Sequence, residues 1–183
     1  MTAYEPVEIA AGAYQLRPWP VANADLDEVL ADFCLDPTAR AGIAAFQGPL
    51  EETVAALRVN RLTGWETGDY LGWGIREATT GRCVGEVTLI KPDLKNQVVM
   101  IGYATRSADR GRGVMSSAVP AACRWGFEGL GMYRISLGHM VGNTGSRRIA
   151  EKCGFTYEGT SRGDYLNNGE HQDTVWWSRL AID

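Results

Sequence analysis

Residues 98–141 carry every part of a parallel crossover, and that unit limits the folds open to this chain more than any other segment. Val98-Val99-Met100-Ile101-Gly102-Tyr103-Ala104-Thr105 is almost continuously apolar, which predicts a strand covered on both faces. Arg110-Gly111-Arg112-Gly113-Val114-Met115 follows as a glycine-rich loop, and Val114, Ala118, Ala121 or Ala122, and Trp125 then recur at helical spacing. Gly129 and Gly131 stop that helix, and Tyr133 to Val141, with Tyr133, Ile135 and Leu137 alternating, predicts a second strand. Such a unit closes with a right-handed crossover and parallel strands. Pro120, inside the helical stretch, lacks a backbone donor and predicts a kink.

A loop in that position suits a phosphate. A helix N-terminus presents about four unpaired N–H groups and a partial positive charge, and glycines let an anion approach the backbone closely. Arg110 and Arg112 are expected to add mobile positive charge beside it. No Gly-x-x-x-x-Gly-Lys-Ser/Thr is present, and Gly111-x-Gly113 lacks the third glycine of a dinucleotide fingerprint, so nucleoside triphosphates and nicotinamides are disfavoured.

These residues resemble the GNAT superfamily of acetyl-CoA-dependent N-acetyltransferases, whose Arg/Gln-x-x-Gly-x-Gly/Ala signature falls on Arg110, Gly113 and position 115. Met115 stands where glycine or alanine is usual, and the Rim-type ribosomal-protein N-terminal acetyltransferases often carry an aliphatic residue there. Ile101-Gly102-Tyr103 is similar to the same subgroup. Asn143-Thr144-Gly145-Ser146 leading to Cys153-Gly154-Phe155 resembles the family's Asn-x-x-Ser helix ending in Gly-Phe. Asn143 and Gly154 also suit the two caps of a short helix, so cap and ligand both stay open for Asn143. Position 150, a tyrosine in many relatives, is Ala150, as in the Rim-type subgroup.

The resemblance implies an α/β GNAT fold: a mixed, mostly antiparallel sheet of about six or seven strands, one parallel βαβ cofactor unit and flanking helices. It implies acetyl-CoA as acyl donor and no metal. The coenzyme pyrophosphate would lie on Arg110, Gly111, Arg112, Gly113, Val114 and Met115, and the pantetheine arm on Asn143. A bulge at Tyr103, Ala104 and Thr105 would turn a backbone amide to the thioester carbonyl, Tyr103 itself being equally suited to a core ring. Ser146 would donate to the departing sulfur or relay a water. Glu86, beside the cofactor strand, and Asp164, ahead of the last hairpin, are the carboxylates placed to take a proton from the amine, with strand-paired or solvated roles as the alternative for each. The expected acceptor is a protein N-terminal amine; a small-molecule amine, antibiotics included, is the alternative, and a non-catalytic acyl-CoA-binding module is a reading of another class.

Composition narrows the partners. At 183 residues, 45% apolar and 22% charged, the chain fits one domain over residues 1–183. A net charge of −4 argues against nucleic acid and favours cationic acceptors. Cys34, Cys83, Cys123 and Cys153 are too scattered for a metal site and read as buried thiols of a reducing, cytoplasmic setting. No basic leader precedes an apolar run, and no stretch of 18 apolar residues suggests a membrane span.

Tyr14 to Trp19 reads as the opening strand. Asn23 is expected to cap a helix carrying Leu26, Val29, Leu30 and Phe33 and ending near Asp36-Pro37. Ala39 to Gly48 gives no clear pattern, and Pro49-Leu50-Glu51-Glu52 starts a further helix with Val54 and Leu57. Tyr70 to Lys91 is a hairpin about Thr80-Gly81, and Phe155 to Arg162 pairs Asp173 to Ile182 through Asn168-Gly169. Trp176 and Trp177 point to opposite faces, so one belongs to the core and the other is a candidate contact for a second copy in a homodimer.

Overall fold

The computed structural model describes residues 4–41, 49–167 and 169–183, the side chains of residues 40 and 41 excepted. Its elements run β1 (Ile9–Ala11), β2 (Tyr14–Pro18), α1 (Leu26–Leu35), α2 (Pro37–Ala41), α3 (Leu50–Thr67), β3 (Tyr70–Glu77), β4 (Cys83–Asp93), β5 (Val98–Thr105), α4 (Val114–Glu128), β6 (Arg134–Met140), α5 (Thr144–Lys152), β7 (Thr156–Asn167) and β8 (Glu170–Leu180). The strands form one eight-stranded sheet in the order β1-β2-β3-β4-β5-β6-β8-β7. Only β5 and β6 are parallel.

The sheet exceeds the expected count because β1, a three-residue strand too short to show a period, pairs with β2 through Ile9 and Leu16. The last hairpin is also longer than expected: Gly169 takes φ +82° at its turn, whereas Asn168 lies outside the described residues. Residues 42–48 of the unpatterned segment lie outside them too.

The period-2 alternation of β3 divides the core. Leu71, Trp73 and Ile75 join Val87, Leu89, Val99, Ile101, Ile135 and Leu137 under α4, whose Val114, Ala118, Val119 and Ala122 face them. On the opposite side, Trp19 packs with Leu26, Val29, Leu30, Phe33 and Leu57 of α1 and α3. Gly72 and Gly74 of β3 make room for that indole; a Cβ on Gly74 would stand 2.8 Å from its ring. Trp65, Trp73 and Trp125 close the first cluster, with ring centroids 5.0, 5.5 and 5.2 Å apart in edge and tilted contacts.

Several local expectations are corrected. β5 is not covered on both faces: Val99 and Ile101 are buried but Met100 is 40% exposed. Asp25, not Asn23, is the N-cap of α1, and its carboxylate is spent on Arg76 at 2.5 and 2.9 Å instead of on the helix. Pro120 sits inside α4, which runs on to Glu128. Of the paired tryptophans, Trp177 is the core residue, and Trp176 lies across Gly138 of β6.

Arg134 of β6 and Glu158 of β7 reach over β8 as a two-point ion pair at 2.6 and 2.5 Å, with the Ser178 hydroxyl donating to the same carboxylate at 2.8 Å. These donors, Arg134 first, hold the Glu158 carboxyl down to about 2. A carboxyl lowered on folding stabilises fully above its unfolded pKa of about 4.3, and the contribution fades as pH falls through the folded value. Glu158→Gln is therefore expected to melt lower than the parent at pH 7, with the gap closing as pH falls toward 2. Melting curves between pH 2 and 7 check this, and a gap independent of pH would contradict it.

Candidate active site

The loop after β5 is fixed from both sides. A short 3-10 turn, Ser107–Asp109, leads into Arg110 and the two glycines. Asp109 has only 2% of its side chain exposed and accepts from Arg82 at 2.6 and 2.9 Å and from Arg112 at 2.6 Å. Those bonds, Arg82's foremost, keep its carboxyl below the ordinary range. Arg112 also donates to Glu77 at 2.7 Å, and the Tyr14 hydroxyl donates to the Arg112 carbonyl at 3.3 Å. Arg110 pairs with Asp36, just beyond α1, at 2.6 Å. The expected mobile charge of Arg110 and Arg112 is thus corrected: both guanidiniums are held by carboxylates.

Gly111 and Gly113 take φ +76° and +77°, and a Cβ at either would meet nothing within 4 Å. Backbone conformation, not crowding, demands glycine there. Gly113 is the N-cap of α4, with no side-chain cap bond and no acidic residue in the first turn. Among the described residues the Val114 and Met115 N–H groups at the start of α4 have no side-chain acceptor, a fit for phosphate oxygens. Met115 departs from the usual small residue, but it is 5% exposed and its Sδ-methyl end packs toward Gly85 of β4.

Beside the loop the sheet parts. β5 and β6 pair only where Val98, Val99 and Met100 meet Arg134, Ile135 and Ser136. Beyond that, β5 stays paired to β4 as far as Thr105 and β6 stays paired to β8 as far as Met140, so a gap opens between β5 and β6. The Arg106 N–H donates to the Val84 carbonyl at 3.0 Å. By alternation Ala104 and Gly102 also face β4, which turns the N–H and C=O groups of Ile101, Tyr103 and Thr105 toward the gap. The predicted bulge is corrected: the β4–β5 register is unbroken from Met100 to Thr105 and shifts only between Ile90 and Asp93. Divergence of β6, not a bulge, frees these amides.

The second motif closes the other side of the gap. Asn143 caps α5, its Oδ1 accepting from the Ser146 N–H at 3.0 Å, so the capping role is present. The Tyr103 hydroxyl donates to the Ser146 carbonyl at 3.4 Å, which joins β5 to the first turn of α5. Burial raises the Tyr103 phenol above its usual range. At the far end of β6, His139 accepts at Nε2 from the Trp177 indole at 3.0 Å, and its Nδ1 lies 2.9 Å from the Met140 carbonyl. That pairing selects the neutral ring with the proton on Nδ1.

Neither candidate carboxylate is hydrogen-bonded to Ser146 among the described residues. Glu86 is on the α1 and α3 side of β4, opposite Ala104 of β5, and is 3% exposed. Both its oxygens accept from Arg61, at 2.5 and 3.2 Å, and one accepts from the Trp19 indole at 3.2 Å. Asp164 is exposed on β7, inside the stretch where the β7–β8 register shifts. Arg61, Trp19, Arg82 and Glu77 carried no signal in the sequence, since each reaches its partner across the chain. All four cysteines are buried thiols; burial pushes Cys83 up to about 11 and Cys123 up to about 12. Among the described residues no cluster of ligand side chains could hold a metal, and no helix is long and apolar enough to cross a membrane.

Comparison with known proteins places the chain's family and fold. The acetyltransferase (GNAT) domain family model matches residues 15–156. YjcK of Bacillus subtilis (strain 168), described as a probable N-acetyltransferase, is 38% identical over 104 residues, covering 55% of this chain and 56% of its own. The match thus spans about half the length of that relative. RimL, a ribosomal L7/L12 alpha-N-protein acetyltransferase solved with coenzyme A, shares the fold at TM-score 0.78 and 22% identity over 95% of this chain and 98% of its own. The microcin C7 self-immunity acetyltransferase MccE, solved with acetyl-CoA and AMP, does so at TM-score 0.74 and 21% identity over 92% and 93%. With the family model matched across both motifs and the parted parallel strands between them, the chain belongs to the GNAT acetyltransferase family.

Proposed function

We propose that this chain transfers an acetyl group from acetyl-CoA to a primary amine, first of all a protein N-terminal α-amine. The observation that carries the reading is the parting of β5 from β6, with the N-termini of α4 and α5 at its mouth. Ligands of sheets with parallel strands gather at the carboxyl ends of those strands, and here that end also holds the uncapped loop. Relatives solved with coenzyme A or acetyl-CoA support the choice of cofactor.

Acetyl-CoA, when bound, supplies the acyl carbon and a thiolate leaving group. The backbone of Arg110 to Met115 would hold its pyrophosphate, and an N–H of Tyr103 or Thr105 would meet the carbonyl oxygen. Asn143, whose Oδ1 serves the cap, keeps its amide group for the pantetheine arm. Ser146 would donate a hydrogen bond to sulfur, directly or through water; its alcohol is too weak an acid to give up its proton to a thiolate whose thiol has a pKa of about 8.5. Glu86 is better suited to positioning than to proton removal, because protonating it would break its pair with Arg61. Asp164, exposed on β7, is the remaining carboxylate candidate for proton transfer through water. An α-amine needs the least such help, being about a tenth neutral at pH 7.

Thermal melts test the reading. Coenzyme A at about a hundred times its Kd should stabilise the protein by about 2.7 kcal/mol, while ATP and NAD should not. Gly113→Val should weaken coenzyme A at least about tenfold, and it should also lower the melting temperature, since a left-handed backbone costs a residue with a Cβ roughly 1–2 kcal/mol. Equal stabilisation by ATP would reduce the loop to a generic phosphate site.

A further inference from the structure

Arg112 stands between the two positive-φ glycines of the loop, where a guanidinium would be expected to reach for phosphate. Its contacts lead elsewhere. One terminal nitrogen donates to Asp109 at 2.6 Å and the other to Glu77 at 2.7 Å. Asp109 is buried and held in turn by Arg82, and Glu77 accepts from the Thr80 hydroxyl at 2.8 Å at the end of β3. Two arginines and two carboxylates thus form a closed, charge-balanced set joining the β3–β4 hairpin to the loop.

Nothing steric fixes the loop on its outer side, since Cβ atoms on Gly111 or Gly113 would meet no neighbour. Two flanking glycines leave the backbone with the most freedom to lose on binding an anion. What restrains it is the Arg110 pair with Asp36 at its start and, between the two glycines, the fork of Arg112 and the Tyr14 bond to its carbonyl. We propose that Arg112 is a positioning residue: its guanidinium, bridging Asp109 and Glu77, presets the loop amides for the coenzyme pyrophosphate and does not itself neutralise phosphate. The inference rests on the coenzyme reading above and names how that site is kept in shape.

The two roles predict opposite behaviour. A bridge needs two donors in a fixed fork, which lysine lacks, whereas a phosphate counter-charge is served by either side chain. Calorimetric titration with coenzyme A and steady-state kinetics with acetyl-CoA should be run on the parent, Arg112→Lys, Arg112→Gln, Glu77→Gln and the Arg112→Gln/Glu77→Gln double variant. Expected is a rise in Kd and in KM for acetyl-CoA of about three- to tenfold in every single variant, lysine included, with kcat nearly unchanged, the double variant no worse than the worse single, and the parent's salt dependence retained. The proposal is overturned if Arg112→Lys binds like the parent, or if Glu77→Gln binds as well as or better than the parent while Arg112→Gln loses affinity and flattens the salt dependence. A parent that binds no coenzyme A would instead remove the coenzyme reading, and this inference with it.

Discussion

Arg61→Met is expected to lower the free energy of unfolding by about 3–5 kcal/mol, the cost of leaving a buried charge without its partner. Arg61 and Glu86 expose 2% and 4% of their side chains and meet at 2.5 Å, and the guanidinium also lies 4.6 Å from the centre of the Tyr70 ring. Methionine would fill most of the volume but leave Glu86 with only the Trp19 indole as donor. Arg61→Met combined with Glu86→Leu should recover much of the loss, because the desolvation penalty of both charges then disappears. By contrast, Arg147→Ala, which breaks an exposed pair with Glu151 on α5, should cost no more than about 1 kcal/mol. Urea denaturation of these variants measures the differences. A loss below about 1 kcal/mol for Arg61→Met, or a double variant no more stable than the single, would show that the pair is not a desolvated unit.

That pair also marks where the sequence stops being legible. The βαβ unit could be read because its signals are local: a run of apolar residues, two glycines and a helical period within residues 98–141. The Asn143 cap and the Gly154 stop were legible for the same reason, the first confirmed by its bond to the Ser146 N–H and the second by φ +76° at Gly154. Arg61 and Glu86 are 25 residues apart, and Arg82 and Asp109 are 27 apart, so no spacing rule links them. Asn23 misled for a related reason: its type suits an N-cap, but the N-cap of α1 lies two residues later at Asp25, whose own carboxylate is claimed by the distant Arg76. The gap between β5 and β6 was equally hidden, because it shows only in the pairings of distant strands, β5 with β4 to Thr105 and β6 with β8 to Met140. Even Met115, which departs from the family pattern, is explained only by Gly85, a small residue on another strand that leaves room for its side chain.

The acceptor should reveal how much proton removal the protein supplies. An α-amine of pKa about 8 and a lysine-like amine of pKa about 10.4 differ at pH 7 by roughly two hundredfold in their neutral fraction, a ratio that shrinks to about twentyfold near pH 9. Glu86 is occupied by Arg61 and Trp19 and Asp164 is exposed to water, so the proton is expected to leave to solvent with little help from either, and kcat/KM for the two amines should follow those ratios across pH 7 to 9. Whatever the site does for the thioester is common to both acceptors and cancels in the comparison. Two peptides carrying only an N-terminal or only a side-chain amine, assayed with acetyl-CoA at equal concentration, give the measurement. A preference below about tenfold at pH 7 would mean that a protein base removes the proton, contrary to the α-amine reading. Asp164→Asn would then decide whether that base is the exposed carboxylate of β7, by restoring the steep preference if it is.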